Sequence, residues 1–393
     1  MAEQPAWIVH LEYMLSQYYK ADIKIMEEFI EILSKPTHLK VTVVVKKGSL
    51  SEPEQFVYFV KLYENIVPYH IRMDLLAKFV KEVDLYTVAL PAIKEFQKAG
   101  NTYALPYDQI FPSCIGARLS TKSNMPDETG VLILENLNEM GYTRPDVRAG
   151  LDLETSKLVL HKMAHLHATP LAMKFLDSDL DLFKQKIVPC LVEVKYAKEP
   201  FCYQDVDRLV NDGISSASPY LKPLKVLVEQ AKEIAWRGKK YDDESWLTMC
   251  HFKFSIFNIM LKYDDQNKPV ACKIVDLQAL NYTHLCTDLI YFLFTSVNTS
   301  VLMSNFDNLI TFYFDLFTGI LSYYKIYHRH TREGFLKEFD EEGPNMIIEI
   351  LQMLPYISGD GYEQDGDPIL GESFKKKLND IMRVMKSRKW IEL

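Results

Sequence analysis

The sequence lacks the features that mark membrane, secreted and metal-cluster proteins. Its most apolar windows, 289–297 and 309–321, are too short or contain Asp315, whereas a membrane-spanning helix needs roughly 18 apolar residues. The six cysteines fall in no CxxC or Cys/His ligand spacing, and a disulfide framework is not expected in a chain this long. The N-terminus has no basic segment followed by an apolar one, so no signal peptide is predicted. We expect a cytoplasmic protein with reduced thiols and no membrane span.

The sequence also has fewer positively than negatively charged residues. Lys and Arg number 45 against 53 Asp and Glu, which gives a net charge of -8 and argues against a nucleic-acid partner. Hydrophobic residues make up 48% and charged residues 25% of the chain, proportions typical of a folded globular protein. Because single cores stop growing near roughly 250 to 300 residues, the 393-residue chain is expected to form two lobes.

The hydrophobic pattern predicts a strand-rich first part and a mainly helical second part. Apolar residues at helical spacing over 8–34 predict one or two amphipathic helices. β-branched runs at 41–45 and 56–61 predict a hairpin, 75–96 a helix, and 131–137 a buried strand. Beyond residue 138 the pattern is helical, except for a second hairpin over 259–274. The helices are expected at 153–167, 221–236, 285–297, 305–327, 331–339, 346–353 and 374–385.

Several polar residues stand at informative positions in these elements. Lys61 ends a strand and Glu82 lies on the following helix, although these common residues could also form a surface salt bridge contributing under about 1 kcal/mol. Further on, His251-Phe252-Lys253 is followed after four residues by Asn258, then by the second hairpin and Asp276-Leu277-Gln278. A helix that begins Asp288-Leu289-Ile290-Tyr291-Phe292-Leu293 comes next.

In this order, the stretches resemble the ecdysteroid kinase-like (CHK kinase-like) family of the choline and aminoglycoside kinase superfamily. The resemblance implies an α+β, bilobal protein-kinase-like fold, with a small β-rich N-terminal lobe over 1–137 and a larger helical C-terminal lobe over 138–393. It also implies a nucleotide site in which a strand lysine, held by a helix glutamate, contacts the phosphates. The residues at the nucleotide-binding positions are Lys61, Glu82, Glu135 and Leu137, and those at the metal positions are Asn258 and Asp276.

The resemblance further implies that ATP and Mg²⁺ are the cofactors if the site is functional; otherwise no cofactor is expected. Glu135 and Asn136 would lie at the hinge beside adenine, or they would simply end a strand. Asp288 is expected to cap its helix and to brace the catalytic loop. His161, His165 and His167 are not expected to bind metal, because no glutamate follows His161 in an H-E-x-x-H arrangement.

Two departures from the family pattern affect catalysis. The residues at the catalytic positions are His251 and Lys253; Lys253 occupies the position of the catalytic aspartate, and Phe252 replaces a glycine. A lysine that titrates near 10.4 cannot accept a proton from a substrate hydroxyl at pH 7. The favoured interpretation is that Lys253 pairs with Asp276 and replaces part of the charge of magnesium. The Gly-rich phosphate loop is also missing, since Gly48 is the one glycine between Val45 and Phe56.

Three functions remain open on these residues. The first is a kinase-like protein with impaired or lost catalysis, a pseudokinase whose cleft binds a nucleotide, a lipophilic ligand or a protein partner. The second is an active ATP-dependent kinase that phosphorylates a steroid-like or other small apolar alcohol, because positioning and electrostatics dominate phosphoryl transfer. The third is an interaction scaffold without a ligand. Aromatic residues at helical spacing in the second part form either core or an apolar substrate pocket; they are Tyr291, Phe292, Phe294, Phe312, Tyr313, Phe314 and Phe317.

Overall fold

The fold is described from a computed structural model. The structure describes residues 6–8, 10–33, 37–48, 51–63, 69–100, 105–176, 182–192, 204–237, 241, 243–362 and 368–392. Among these residues no helix is long and apolar enough to cross a membrane.

The N-terminal part is built on an antiparallel sheet of five strands. The strands are β1 (Ile23–Ile32), β2 (His38–Lys47), β3 (Glu54–Leu62), β4 (Cys114–Arg118) and β5 (Val131–Glu135). Their order across the sheet is β1-β2-β3-β5-β4. The hairpin predicted from residues 41–61 is β2 and β3, which pair from His38 opposite Lys61 to Val45 opposite Glu54.

One face of this sheet packs against helix α1 (Leu11–Tyr19). Strand β2 alternates buried and half-buried positions, as expected where successive side chains point to opposite faces. Its buried residues form an apolar cluster with α1 and neighbouring strands, which includes Leu11, Leu15, Val41, Val43, Val60 and Ile133. Strand β5 is buried on both faces: Ile133 joins this cluster, whereas Leu132 and Leu134 join the larger core of the C-terminal part.

The helix predicted over 75–96 is present as two α-helices joined by a π-helical turn. Helix α2 spans Tyr69–Asp84, the π turn spans Leu85–Ala89, and α3 spans Leu90–Ala99. Single π turns inside α-helices are frequent at functional sites. Here the turn begins three residues after Glu82, and its buried residues Leu85, Tyr86 and Ala89 belong to the large core shared with the C-terminal part.

The C-terminal part is mainly helical. Its helices are α4 (Leu153–Leu176), α5 (Gln204–Gly213), α6 (Leu221–Arg237), α7 (Leu285–Ser296), α8 (Thr299–Tyr323), α9 (Arg332–Glu342), α10 (Ile347–Ser358) and α11 (Glu372–Ser387). Two small antiparallel sheets accompany them, and they contain β6 (Tyr142–Thr143), β7 (Leu247–Cys250), β8 (Ile259–Tyr263), β9 (Pro269–Ile274) and β10 (Asn281–His284). The predicted α+β class, with a β-rich N-terminal and a helical C-terminal part, is confirmed. The boundary between 137 and 138 stays a prediction.

The helical prediction for residues 8–34 is wrong in its second half. Residues 11–19 form α1, but Ile23–Ile32 form the edge strand β1, paired with β2 along its length. The apolar residues at helical spacing do not form a buried stripe, because Met26, Phe29 and Ile32 are 50%, 59% and 64% exposed. Isoleucine and phenylalanine favour strands, and the neighbouring strand supplies the hydrogen-bond partners that settle the conformation.

The aromatic residues at helical spacing in α7 and α8 belong to the core. Six are buried: Tyr291, Phe292, Phe294, Tyr313, Phe314 and Phe317. Phe312 is partly buried against them. Their rings pack against one another and against neighbouring aromatics, for example Tyr313 with Phe317 and Phe314 with Phe335. Of the two interpretations left open by the sequence, these contacts favour the core over the pocket.

Candidate active site

A lysine and a glutamate meet where the N-terminal sheet faces the C-terminal part. Lys61 lies near the end of β3 and Glu82 near the end of α2, and the Lys61 Nζ to Glu82 Oε2 distance is 2.5 Å. The side chains are 14% and 3% exposed, so this is a buried pair and not the surface salt bridge considered as the alternative. The other oxygen of Glu82 accepts a hydrogen bond from the backbone N–H of Leu277, at 3.3 Å, which ties α2 to the segment after β9.

Lys61 also reaches two side chains that follow β9. Its Nζ lies 3.5 Å from Asp276 Oδ1 and 3.4 Å from Gln278 Oε1. Burial lowers the pKa of Lys61, but the carboxylates of Glu82 and Asp276 outweigh burial and raise it, so the ammonium form is favoured. Burial raises the pKa of Glu82, against the opposing effect of Lys61. A fixed cation therefore stands beside two carboxylates at the junction of the two parts.

Asn258 and Asp276 lie at the same end of the β8–β9 hairpin. Asn258 directly precedes β8, Ile259 pairs with Ile274, and the Val275 N–H donates to the Asn258 carbonyl at 2.9 Å. Asp276 has a left-handed backbone, with φ of 64°, and its side chain is 43% exposed. A carboxylate and an amide oxygen at one hairpin end suit magnesium, which takes few protein ligands and completes its coordination with waters and phosphates. These two residues fit such an ion.

The loop that begins at His251 is held from behind by Asp288. Asp288 Oδ2 accepts the His251 backbone N–H at 2.5 Å and lies 3.1 Å from His167 Nε2. The other ring nitrogen of His167 is 2.6 Å from the Tyr313 hydroxyl. The predicted bracing of the loop by Asp288 is present, but its predicted capping role is wrong. The residue that caps α7 is His284, whose Nδ1 accepts the Cys286 N–H, because Asp288 lies one turn further along and faces the loop.

Lys253 does not pair with Asp276, and that interpretation is wrong. Phe252 and Lys253 both have left-handed backbones, with φ of 66° and 68°, and the Lys253 side chain is exposed. The cation beside Asp276 is Lys61. Left-handed conformations are strained for residues other than glycine, and the family glycine is replaced here by Phe252. His251 itself is buried, and its Nε2 lies 3.1 Å from the Val275 carbonyl, so it links the loop to the end of β9.

The segment between the first two strands differs from the one expected. The stretch between Val45 and Phe56 joins β2 to β3, because the extra strand β1 precedes them. The first two strands are joined by residues 33–37, Leu-Ser-Lys-Pro-Thr, which contain no glycine. Residues 34–36 lie outside the described part of the chain, as do residues 49 and 50.

The predicted hinge residues lie where β5 leaves the N-terminal sheet. Glu135 ends β5, and its Oε1 is 3.3 Å from Lys273 Nζ on β9. Leu137 turns the chain, since its carbonyl accepts the N–H groups of Met140 and Tyr142 at 3.1 and 2.9 Å. Leu137 and Tyr142 form a small apolar cluster with Met260, against which Ala271 and Val275 pack. Contact of this segment with adenine stays a prediction.

Some residues of the site were not given a role from sequence. Gln278 contacts Lys61, and its Nε2 donates to Asp276 Oδ2 at 3.3 Å. Arg144 donates to the carbonyl of Phe257 at 2.9 Å and so supports the turn before Asn258. Gln278 was within the motif that identified Asp276, but its contact with Lys61 joins residues 217 positions apart. No local pattern could have revealed that contact.

Comparison with known proteins assigns the family. The chain belongs to the ecdysteroid kinase-like family, whose model matches residues 36–325. No curated protein matches it.

Two solved structures align with most of the chain, at low identity and low TM-score. The amicoumacin kinase hAmiN, in complex with AMP-PNP, Ca²⁺ and Ami, is 12% identical with a TM-score of 0.39, over 92% of this chain and 88% of that one. The macrolide 2'-phosphotransferase MphH from Brachybacterium faecium, an apoenzyme, is 11% identical with a TM-score of 0.38, over 88% of this chain and 93% of that one.

Proposed function

We propose that this protein binds Mg²⁺-ATP and transfers the γ-phosphoryl group to a hydroxyl of a small, steroid-like or other apolar molecule, at a rate reduced by the loss of the catalytic aspartate. The observation that carries the proposal is Lys61, held between Glu82 at 2.5 Å and Asp276 at 3.5 Å. A pre-positioned cation beside a carboxylate at a hairpin end is the arrangement that a metal-bound triphosphate requires. The steroid-like acceptor rests on the family alone.

Each residue has a distinct part in this function. Lys61 would neutralise phosphate oxygens, and Glu82 fixes its direction while the Leu277 N–H fixes Glu82. Asn258 and Asp276 would hold magnesium, which when bound balances the charge on the phosphates. The apolar cluster of Leu137, Tyr142 and Met260 would give the adenine ring a surface.

The reduced rate follows from Lys253. A general base typically contributes about 100-fold to 10,000-fold to a rate, and an exposed ammonium group at position 253 cannot serve as one. Positioning and charge stabilisation supply most of the remaining acceleration in phosphoryl transfer. The expected activity is therefore slow and dependent on the metal.

The test is transfer of label from [γ-³²P]ATP to a panel of mono- and polyhydroxylated steroids and simple apolar alcohols. Lys61→Met and Asp276→Asn should abolish the transfer. Lys46→Met, a change to a half-buried lysine of β2, should leave it unchanged. Labelled product that persists in Asp276→Asn would contradict the proposal.

A second candidate is nucleotide binding without transfer, as in a pseudokinase that acts through a protein or lipophilic partner. The observation that favours it is the strained pair Phe252 and Lys253 in place of the family's loop. Stabilisation by Mg²⁺-ATP without any labelled product, even with overnight incubation, would establish this candidate and exclude the first.

A further inference from the structure

A histidine, a cysteine and an aspartate from three separate elements meet behind the loop that begins at His251. His167 lies on α4, Cys250 ends β7 and Asp288 lies on α7. All three side chains are fully buried, and one ligand atom of each lies within 4.8 Å of the ligand atoms of the other two. Among the described residues, no other group of three His, Cys, Asp or Glu side chains converges in this way. The three residues are far apart in sequence, so no local spacing could have revealed the group.

The carboxylate of Asp288 is engaged through one oxygen only. Its Oδ2 accepts the His251 backbone N–H at 2.5 Å and lies 3.1 Å from His167 Nε2. Its Oδ1 is buried and, within the described part of the chain, receives no hydrogen bond. A free oxygen on a fully buried carboxylate is costly, because nothing replaces the water that it loses on folding. A cation bound at this oxygen would remove that cost.

A second unpartnered polar side chain lies beside Cys250. Asn281 of β10 pairs directly opposite Cys250 of β7, and opposite residues of an antiparallel pair project from the same face of the sheet. Asn281 is 1% exposed, and neither its Oδ1 nor its Nδ2 has a hydrogen-bond partner among the described residues. The Cys250 thiol, a weak donor, makes one long hydrogen bond, to the Thr283 carbonyl at 3.5 Å. The cluster therefore has more capacity to bind a ligand than its own hydrogen bonds use.

The histidine is held in the way that metal-binding histidines are held. The Nδ1 of His167 lies 2.6 Å from the Tyr313 hydroxyl, and a hydrogen bond at the second ring nitrogen is what orients the ring in most metal sites. Ligand atoms in a tetrahedral zinc site, with bonds of about 2.0 to 2.3 Å, lie about 3.3 to 3.6 Å apart. The separation of 3.1 Å between His167 Nε2 and Asp288 Oδ2 is close to that spacing. Cys250 Sγ, within 4.8 Å of both ligand atoms, would need to move by about 1 Å.

We propose that His167, Cys250 and Asp288 bind one Zn²⁺ ion, with the amide oxygen of Asn281 available as the fourth ligand. Zinc accepts thiolate, imidazole and carboxylate together, whereas magnesium and calcium prefer oxygen ligands. On binding, the Cys250 thiol loses its proton to water, while neutral imidazole and ionised carboxylate bind through lone pairs, and nothing is oxidised or reduced. The ion joins α4, β7 and α7 immediately before His251, so it is a structural ion that fixes the start of that loop. This zinc site goes beyond the proposed phosphotransferase function and does not depend on it.

The test measures metal in the full-length protein, purified in excess Mg²⁺ from cells grown with added zinc or, separately, with added cobalt. Metal content is determined by mass spectrometry, the cobalt protein is examined by absorption spectroscopy, and the zinc protein by X-ray absorption. The variant is Cys250→Ala, and its matched control is Cys272→Ala, at a cysteine of β9 that is also buried. Asp276→Asn tests whether any zinc is bound at the nucleotide site instead. Circular dichroism confirms the fold of each variant.

We expect about one zinc ion per chain in the wild type, in Cys272→Ala and in Asp276→Asn. Cys250→Ala should hold at least about tenfold less zinc, because a ligand is lost. The cobalt protein should show a thiolate-to-cobalt charge-transfer band that Cys250→Ala lacks. X-ray absorption of the wild type should show one sulfur at about 2.3 Å from zinc and nitrogen or oxygen at about 2.0 to 2.2 Å. This last measurement needs no variant, so it decides the matter even if Cys250→Ala does not fold.

Three outcomes would overturn the zinc site. The first is a wild-type protein that carries neither zinc nor cobalt after growth with these metals. The second is zinc that is retained in folded Cys250→Ala, or an X-ray absorption spectrum without sulfur, since either result places the ion elsewhere. The third is loss of zinc in Asp276→Asn with retention in Cys250→Ala, which would assign the ion to the nucleotide site.

Discussion

Lys61 and Glu82 form an ion pair from which water is largely excluded. The loss of stability when one partner is removed therefore tests whether the pair is buried. Their side chains are 14% and 3% exposed. Removing one partner of a buried ion pair costs about 3 to 5 kcal/mol, because the other charge stays buried and uncompensated. Lys61→Met should therefore reduce the free energy of unfolding by about 3 kcal/mol at pH 7, since Glu82 is then left beside Asp276.

The double variant Lys61→Met with Glu82→Gln should cost about 1 kcal/mol or less, since no buried charge remains. Urea denaturation of the wild type, both single variants and the double variant forms a cycle that isolates the coupling energy. The penalty of Lys61→Met should also shrink as the pH falls from 7 to 5. The folded-state pKa of Glu82 lies above its unfolded value, so the folded protein binds the proton more readily and gains stability as the pH falls.

Two results would show that Lys61 and Glu82 are not a coupled, buried ion pair. A cost of Lys61→Met below about 1 kcal/mol would place the pair in the range of exposed salt bridges. A double variant whose cost equals the sum of the two single costs would mean that the two side chains are not coupled. Lys46→Met, the change on β2 that removes no ion pair, measures the effect of lysine replacement by itself.

Three further predictions follow from the loop and the buried histidines. Phe252→Gly should be more stable than Phe252→Ala by about 1 kcal/mol in urea denaturation. Both variants lose the ring, but only glycine relieves the strain of the left-handed backbone. Equal stabilities would show that the backbone at φ of 66° is not strained. Asp288→Asn should lower the free energy of unfolding by about 2 kcal/mol, because it weakens the hydrogen bonds to His251 and His167. The control Asp315→Asn, at an exposed residue of α8, should have no effect. A similar small change in both variants would contradict the bracing role of Asp288. Burial lowers the pKa of His165 to about 3, so at acidic pH the unfolded chain binds a proton that the folded chain does not. The free energy of unfolding should therefore fall as the pH drops below about 6.5, and less steeply in His165→Gln. Parallel profiles of unfolding free energy against pH would show that His165 does not contribute.

The sequence predicted the parts of the fold in which one pattern dominates. The β-branched run of β2, the continuous apolar run of β5 and the strong helical periodicity of the C-terminal part each matched the structure. Strand β1 was mistaken for a helix because Met26, Phe29 and Ile32 happen to be three residues apart, and its conformation is set by pairing with β2. Because the sequence pattern does not reveal β1, it places the phosphate loop between β2 and β3, whereas the first two strands are β1 and β2.

The candidate site could be predicted as far as the family motif reaches. Spacing placed Asn258 before the hairpin and Asp276 after it, and the ends of an antiparallel hairpin necessarily meet. Spacing could not show which cation would reach Asp276, because that depends on how β3 and α2 pack against the C-terminal part. Lys253 is closer to Asp276 in sequence, yet its side chain is exposed, and the cation beside Asp276 is Lys61.

The metal-nucleotide site is tested most directly by thermal unfolding with ATP alone, with magnesium alone and with both together. We expect a clear rise of the midpoint with Mg²⁺-ATP, since a ligand at one hundred times its Kd adds about 2.7 kcal/mol. The rise should be small with either component alone and should be lost in Lys61→Met and Asp276→Asn. An unchanged midpoint under all three conditions, or an equal rise in Asp276→Asn, would contradict the claim that these residues form a metal-nucleotide site.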